Sequence, residues 1–281
     1  MTVDPDEAHP HLAAVERVTW NGPHAEHGPD LVVREEPLEI RVNGVTLGVL
    51  MRTPGDEEAL VRGFLLSEGV AQGPEEIRFV RPCSVSTPES EGNVYLATLA
   101  EGVDVDLQRF RRGGLSTSSC GVCGKATLEQ AMEVAPPLPL GPHLDPRRLR
   151  ELPATLAKTQ VLFEHTGGLH AAAGFTAEGE LLSAHEDIGR HNAVDKVIGS
   201  TAGRGRRPDV LVVSSRLSFE IAQKALAARI PAVVAVSAPS ALAVELGRAA
   251  GLTVVAFARG DRMVVYADPG RIRPEPEETP P

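Results

Sequence analysis

Aromatic residues are scarce in this chain. They make up 4% of its 281 residues, with a single tryptophan and two tyrosines. A core must therefore be built mainly from Val, Leu and Ala. Positive charge is also in deficit, with 28 Lys and Arg against 38 Asp and Glu, a formal net charge of -10. That balance argues against a global electrostatic grip on DNA or RNA and leaves room only for a local basic pocket, of the kind that takes a phosphorylated small molecule. Cysteine is rare: three residues, an odd number, two of them close together. This is no disulfide framework, and a reducing cytoplasm fits best. No apolar run approaches the roughly 20 residues of a transmembrane helix. The start, Met1 to Pro10, is acidic and has no apolar centre, so it does not read as a signal peptide.

The length suits one or two domains with a real core. Residues 1–30, rich in His, Pro, Gly and acids, read as a flexible segment with one edge strand at most. His24 and His27 have a metal-like spacing but no third ligand beside them. From 31 to 52 apolar and polar residues alternate around Asn43-Gly44, a strong hairpin signal. Thr53 as N-cap, Pro54 in the first turn and Asp56, Glu57 and Glu58 after it predict a helix ending at Gly69. Strands are expected at 77–80 and 94–99, and Cys83 between them reads as a small buried residue. A β-rich N-terminal domain over 31–135 would end in a cysteine loop and helix, followed by a Pro-rich linker, 136–144.

The second half, 145–268, has a different grain. A helix is expected from about Asp145 to Gln160, divided at Pro153, then a hairpin around Ala177-Glu178-Gly179 and a helix from Arg190. Val-rich strands at 210–213, 232–236 and 252–257 alternate with helices at 219–229 and 240–250, and a short strand at 263–266 closes the domain. Continuous apolar strands separated by helices predict a parallel sheet covered on both faces, an α/β domain in a chain that is α+β overall. Residues 269–281, dominated by Pro and Glu, read as a disordered tail.

Three regions carry chemistry. Cys120 and Cys123 form a Cys-x-x-Cys pair set among Gly113, Gly114, Gly121, Gly124 and a run of Ser and Thr, with Lys125, Arg109, Arg111 and Arg112 nearby. Such a loop presents sulfur rather than building a core, and neighbouring cations favour the reactive thiolate. On its own the spacing leaves a redox pair, half a zinc site and a sulfur relay open. The second region runs from Ser183 to Lys196, where Asp187, His191, Asn192, Asp195 and Lys196 fall within three turns. It reads either as a well-capped helix with solvated charges or as a site facing a ligand. The third is the set of strand ends where α/β sheets bind ligands: Ser214-Ser-Arg216, Ser237-Ala-Pro-Ser240 and Phe257-Ala-Arg-Gly-Asp-Arg262. Ser218 and Ser240 also suit helix caps. The turn Thr166-Gly-Gly168 between His165 and His170 can offer backbone N–H groups to an anion. No P-loop is present.

Taken together, Asn43-Gly44, Thr53-Pro-Gly-Asp-Glu57, Ser67-Glu-Gly69, Ser119-Cys-Gly-Val-Cys-Gly-Lys125, Gly167-Gly-Leu-His170, Glu186-Asp-Ile-Gly-Arg-His-Asn-Ala-Val-Asp-Lys196, Ser237-Ala-Pro-Ser240 and Phe257-Ala-Arg-Gly260 resemble the FdhD family over roughly residues 31–268. The resemblance implies an accessory sulfurtransferase of formate dehydrogenase. Such a protein receives persulfide sulfur from a cysteine desulfurase and passes it to the molybdenum cofactor, bis-molybdopterin guanine dinucleotide. It further implies Cys120 as the persulfide carrier and Cys123 as the assisting thiol. Phe257, Ala258, Arg259, Gly260, Asp261 and Arg262 fall on the cofactor-binding segment, a site that a guanine nucleotide can also occupy. His191, Asn192, Ser237 and Ser240 are further pocket candidates. No metal ligand set is expected. The implied fold is a small β-rich domain plus a cytidine-deaminase-like three-layer α/β/α domain, and the implied assembly is a homodimer. Ser215 stands where the family pattern leads us to expect glycine. A cofactor-binding chaperone without sulfur transfer is the competing reading. A zinc-dependent deaminase is disfavoured, because its His-x-Glu element should precede Pro-Cys-x-x-Cys, whereas here Ser119 precedes Cys120.

Overall fold

The computed structural model describes residues 10–84, 92–107 and 136–273. Cys120 and Cys123, with Arg109, Arg111, Arg112 and Lys125, lie outside the described residues. The chain opens with a two-stranded antiparallel ribbon, β1 (Leu12–Asn21) and β2 (His24–Val33), turning at Gly22-Pro23. Strands β3 (Glu36–Val42), β4 (Val45–Arg52), β5 (Ile77–Pro82) and β6 (Val94–Leu99) form a sheet of order β4-β3-β6-β5, with β3 and β6 parallel. Asn43 and Gly44 both take positive φ, 47° and 82°, as a two-residue hairpin turn requires. Helix α1 (Glu57–Ser67) covers this sheet.

The second sheet has order β12-β11-β10-β9-β7-β8. Its strands are β7 (His170–Phe175), β8 (Leu181–Asp187), β9 (Val210–Val213), β10 (Ala232–Ala235), β11 (Thr253–Arg259) and β12 (Arg262–Ala267). β9, β10 and β11 run parallel, and the β7–β8 hairpin and β12 add antiparallel flanks. Alternation sorts the side chains. Leu211, Val213, Val233 and Ala235 face α4 (Arg190–Gly203), α5 (Phe219–Ala227) and α6 (Ala241–Ala250), while Val210, Val212, Ala232 and Val234 face α2 (Pro146–Ala157). The result is three layers, α/β/α. The first of these cores is continuous with that of the N-terminal sheet, because α1 lies directly on α4.

That contact is backbone against backbone. A Cβ on Gly199 would overlap the carbonyl of Ala59 and lie 2.6 Å from the Gly63 nitrogen; one on Gly63 would overlap the carbonyl of Asp195. Buried charge pins the same joint. Lys196 Nζ lies 2.8 Å from Asp187 Oδ2 and donates to the Thr53 carbonyl at 3.1 Å, and Thr53 N donates to Asp187 at 3.2 Å. Asn192 Nδ2 donates to the Met51 carbonyl and to Asp187. One turn further on, Lys224 Nζ donates to Asp195, Ser67 and Glu68 at 2.8–3.0 Å. Burial raises the Asp195 carboxyl; burial also pushes the Lys224 ammonium down, but the Asp195 and Glu68 carboxylates outweigh it and raise the group.

Several expectations need correction. Residues 12–30 form the β1–β2 ribbon rather than a flexible segment, because paired backbone satisfies them despite their poor apolar content. Helix α1 begins at Glu57, not after Thr53: Gly55 and Asp56 are left-handed (φ 102° and 58°), and Thr53 instead accepts from Ile188 N and anchors Lys196. The Asp187–Lys196 stretch is a buried joint, not a solvated face. Cys83 is partly exposed. Pro153 sits inside α2 without ending it, and a separate helix α3 (Val161–Thr166) follows. Residues 136–144 pack on the second domain, with Leu138 and Leu144 buried. The start of the tail is likewise ordered. Arg271 is buried and donates to the carbonyls of Pro139, Leu140 and Gly251.

Candidate functional site

Parallel strands aim their carboxyl ends, and the loops that follow them, at one edge of the sheet. Here a groove of about 650 Å³ lies at that edge on the α2 face. Its floor is Ser214, Val236 and Ala258 from the ends of β9, β10 and β11; its walls are Pro153, Ala154 and Ala157 of α2 on one side and Gly167, Gly168 and His170 on the other. Arg259 and Gly260 close one end. The size suits a small-molecule ligand.

Local chemistry explains each wall. Helix α3 is too short to stand alone and has no side-chain cap of its own at Gln160. Glu186, from β8, accepts from Leu162 N and Phe163 N, both at 2.8 Å, and supplies the cap from a distance. Gly167 then ends the helix in the left-handed conformation (φ 65°), which turns the chain along the groove. On the opposite side β11 bulges between Ala256 and Arg259, and Phe257 within the bulge has φ 51°. A bulky residue rarely adopts that conformation, and such strain clusters at functional sites. It leaves the Phe257 ring 38% exposed, 6.4 Å from the Tyr266 ring, and keeps Arg259 at the surface while Ala258 is buried. Arg259 Nε donates to the Val236 carbonyl at 3.1 Å, and Arg150 of α2 donates to the Asp261 carbonyl, tying the β11–β12 turn to the groove wall.

Of the residues singled out in the sequence, Ala258, Arg259 and Gly260 line the groove, and Phe257, Asp261 and Arg262 flank them in the bulge and turn. Ser237 accepts from Phe257 N, and Ser240 caps α6 by accepting from Ala243 N. Asn192 belongs to the domain joint. His191 stands in the first turn of α4 with Nε2 3.8 Å from Glu220 Oε2, an ion-pair distance longer than a hydrogen bond; the two side chains are 12% and 13% exposed. This neighbour holds the Glu220 carboxyl down to about 2. Ser215, where glycine was expected, is buried and donates to the Arg216 carbonyl at 2.9 Å. The α2 wall was missed in the sequence; its one signal was a pair of alanines, Ala154 and Ala157, three residues apart on a helix. Among the described residues no group of three or more His, Cys, Asp or Glu is placed to hold a metal ion, and no helix is long and apolar enough to cross a membrane.

Comparison with known proteins fits this architecture. Sulfur carrier protein FdhD of Streptomyces avermitilis is 48% identical over 256 residues, covering 87% of this chain and 89% of the relative. The protein of the same name from Mycobacterium tuberculosis is 50% identical over 260 residues, covering 87% and 92%. A crystal structure from Desulfotalea psychrophila, of a protein assigned as a formate dehydrogenase accessory protein, superposes with a TM-score of 0.74 at 24% identity, covering 94% of this chain and all of that one. That likeness establishes the shared fold. The model of the FdhD/NarQ family matches residues 33–273, and the chain belongs to the FdhD/NarQ family.

Proposed function

We propose that the chain is a sulfur carrier whose persulfide forms on Cys120. The observation that carries this reading is the Cys120-Gly-Val-Cys123 pair in a chain so similar, over most of its length, to proteins named as sulfur carriers. The Cys120 thiolate attacks the outer sulfur of a cysteine desulfurase persulfide; the donor S–S bond breaks and the donor thiolate leaves. Attack of Cys123 on the inner sulfur then forms a Cys120–Cys123 disulfide and frees the outer sulfur as hydrosulfide, which a metal centre takes up; a thiol reductant restores the pair. The acceptor in this reading is bis-molybdopterin guanine dinucleotide, and the client is formate dehydrogenase.

The groove supports a nucleotide-bearing acceptor. Its glycines, Gly167, Gly168 and Gly260, leave backbone open to close approach, and Arg259 with Arg262 beside it offers charge to phosphate in an otherwise acidic chain. A guanine nucleotide alone would occupy the same place. A homodimer working in the cytoplasm completes the proposal.

Intact mass after incubation with a desulfurase and cysteine tests it. Wild type should gain one sulfur atom, Cys123→Ala should gain and retain it, and Cys120→Ala should gain none. The same addition on Cys120→Ala would exclude Cys120 as carrier. The alternative, a cofactor-binding chaperone, predicts that Cys120→Ala still activates the client.

A further inference from the structure

A second cavity, of about 360 Å³, lies at the other edge of the second sheet, where the parallel strands begin. Pro208 and Ile230 of its lining stand just before β9 and β10. Leu66 from the end of α1 and Ile198 and Ala202 from α4 complete an apolar floor, so the cavity straddles the joint between the two sheets. Pro74 and Pro208 stiffen its walls. The volume is at the low end for a whole small-molecule ligand and suits an inserted apolar side chain.

Three arginines, Arg206, Arg207 and Arg229, rim this floor. They follow the ends of α4 and α5, and both helices stop in the same way. Gly205 is left-handed at φ 65°; its N–H and that of Arg206 donate to the carbonyls of Ala202 and Thr201. Arg229 is left-handed at φ 58°; its N–H and that of Ile230 donate to Leu226 and Ala225. The last carbonyls of both helices are thus engaged rather than turned toward the cavity mouth. Arginine in a conformation that favours glycine is strained, and such strain marks places where the side chain is used. Opposing charge is thin. Arg206 pairs with Glu180 at 3.2 Å, and Glu75 of the lining folds back over Gly73. Among the described residues Arg207 and Arg229 have no carboxylate partner. In a chain of net charge -10 this is a local positive rim around an apolar hole.

The cavity also adjoins the chain that leads to Cys120. Arg229 donates to the carbonyls of Pro136 and Pro137 at 2.7 and 3.3 Å, and Pro136 is where the described chain resumes after the segment bearing both cysteines. On the near side of that segment, Ala100 N donates to the Glu76 carbonyl at 2.7 Å, next to the Gly73–Glu75 wall.

We propose that this cavity is the docking seat of the sulfur-donor protein, which inserts an apolar side chain onto the Leu66–Ile198 floor and sets flanking carboxylates against Arg207 and Arg229. The inference rests on the sulfur-carrier function proposed above and adds the surface that recognises the donor. The partner segment it fits is acidic, with one apolar anchor: the anchor gives affinity, and the rim charges steer the encounter.

Persulfide formation on Cys120, followed by intact mass against rising concentrations of cysteine desulfurase with cysteine as sulfur source, tests the seat. Arg207 is exposed and, among the described residues, makes no hydrogen bond or ion pair, so Arg207→Glu should fold normally. It should raise the desulfurase concentration that gives half the maximal rate by about tenfold, with the maximal rate kept. Ala202→Met, which fills the floor without changing charge, should shift the curve in the same direction. Arg147→Glu, the same charge reversal on α2, should leave it in place. Glutathione persulfide, a small donor that needs no docking, should load Cys120 equally in all of these proteins. A wild-type curve in Arg207→Glu or Ala202→Met, or an equal shift in Arg147→Glu, would overturn the seat. Slower loading of Arg207→Glu by glutathione persulfide as well would assign the cavity to the chain's own residues 108–135 and overturn it too. Wild type loaded by glutathione persulfide but not by desulfurase refutes the seat and keeps the carrier function; wild type loaded by neither refutes both.

Discussion

Substituting Gly199 by Ala perturbs the joint between the two sheets where backbone meets backbone. The added methyl would overlap the Ala59 carbonyl and press within 2.6 Å of the Gly63 nitrogen, so both obstacles are backbone and neither can swing aside. Helices α1 and α4 must part by roughly 1 Å to admit it. Overpacking of this kind costs about 1–3 kcal/mol, and a rigid obstacle places it at the upper end. Parting the helices also stretches the Lys196–Thr53, Lys224–Ser67 and Lys224–Glu68 contacts that span the same joint. Alanine returns about 1 kcal/mol through helix propensity, which leaves a net loss of about 2 kcal/mol or more. The control is Gly203→Ala, four residues on, where the new methyl meets only Arg62 Cδ at 3.9 Å. It should be neutral or gain up to about 1 kcal/mol from the same propensity. Urea unfolding followed by far-ultraviolet circular dichroism reads both midpoints. Gly199→Ala at or above wild-type stability would refute direct backbone contact between α1 and α4.

Lys224→Met should destabilise the fold by about 3–5 kcal/mol, because it strands the buried Asp195 carboxylate; adding Asp195→Asn should recover part of that loss in the same unfolding assay. Glu220 gives an acid-side prediction. Its carboxyl lies at about 2 in the fold against 4.5 when free, so the ionised form stabilises the fold above pH 4.5, and that contribution disappears as pH falls toward 2. Glu220→Gln should therefore be less stable than wild type at neutral pH by at most about 3 kcal/mol, and the two stability curves should converge by pH 2. Parallel curves would exclude the His191 neighbour as the cause.

Features with local causes were legible in the sequence. Asn43-Gly44 announces its hairpin, Val210–Val213 its strand and Ser240 its cap, because a turn, an apolar run and a capping hydroxyl act within a few residues. The strand-end rule likewise led to Ala258, Arg259 and Gly260, and the reading of Thr166-Gly-Gly168 as an anion-binding turn led to Gly167 and Gly168. What escaped depends on partners far along the chain. Helix α3 is capped by Glu186, Thr53 serves Ile188 and Lys196 instead of its own helix, and Arg271 is held by carbonyls about 20 and 130 positions before it. Asp187, Asn192, Asp195 and Lys196 show how polarity misleads: residue type alone does not distinguish a solvated face from a buried clamp, because burial is decided by what packs against it.

The ribbon of β1 and β2 has a practical consequence for spectroscopy. It carries Trp20, the only tryptophan of the chain, and that indole is 68% exposed, well away from both cores. Emission excited selectively from tryptophan therefore reports on the ribbon alone. It stays nearly silent while the sheets unfold, and a blue shift in the native protein marks an encounter that covers the ribbon.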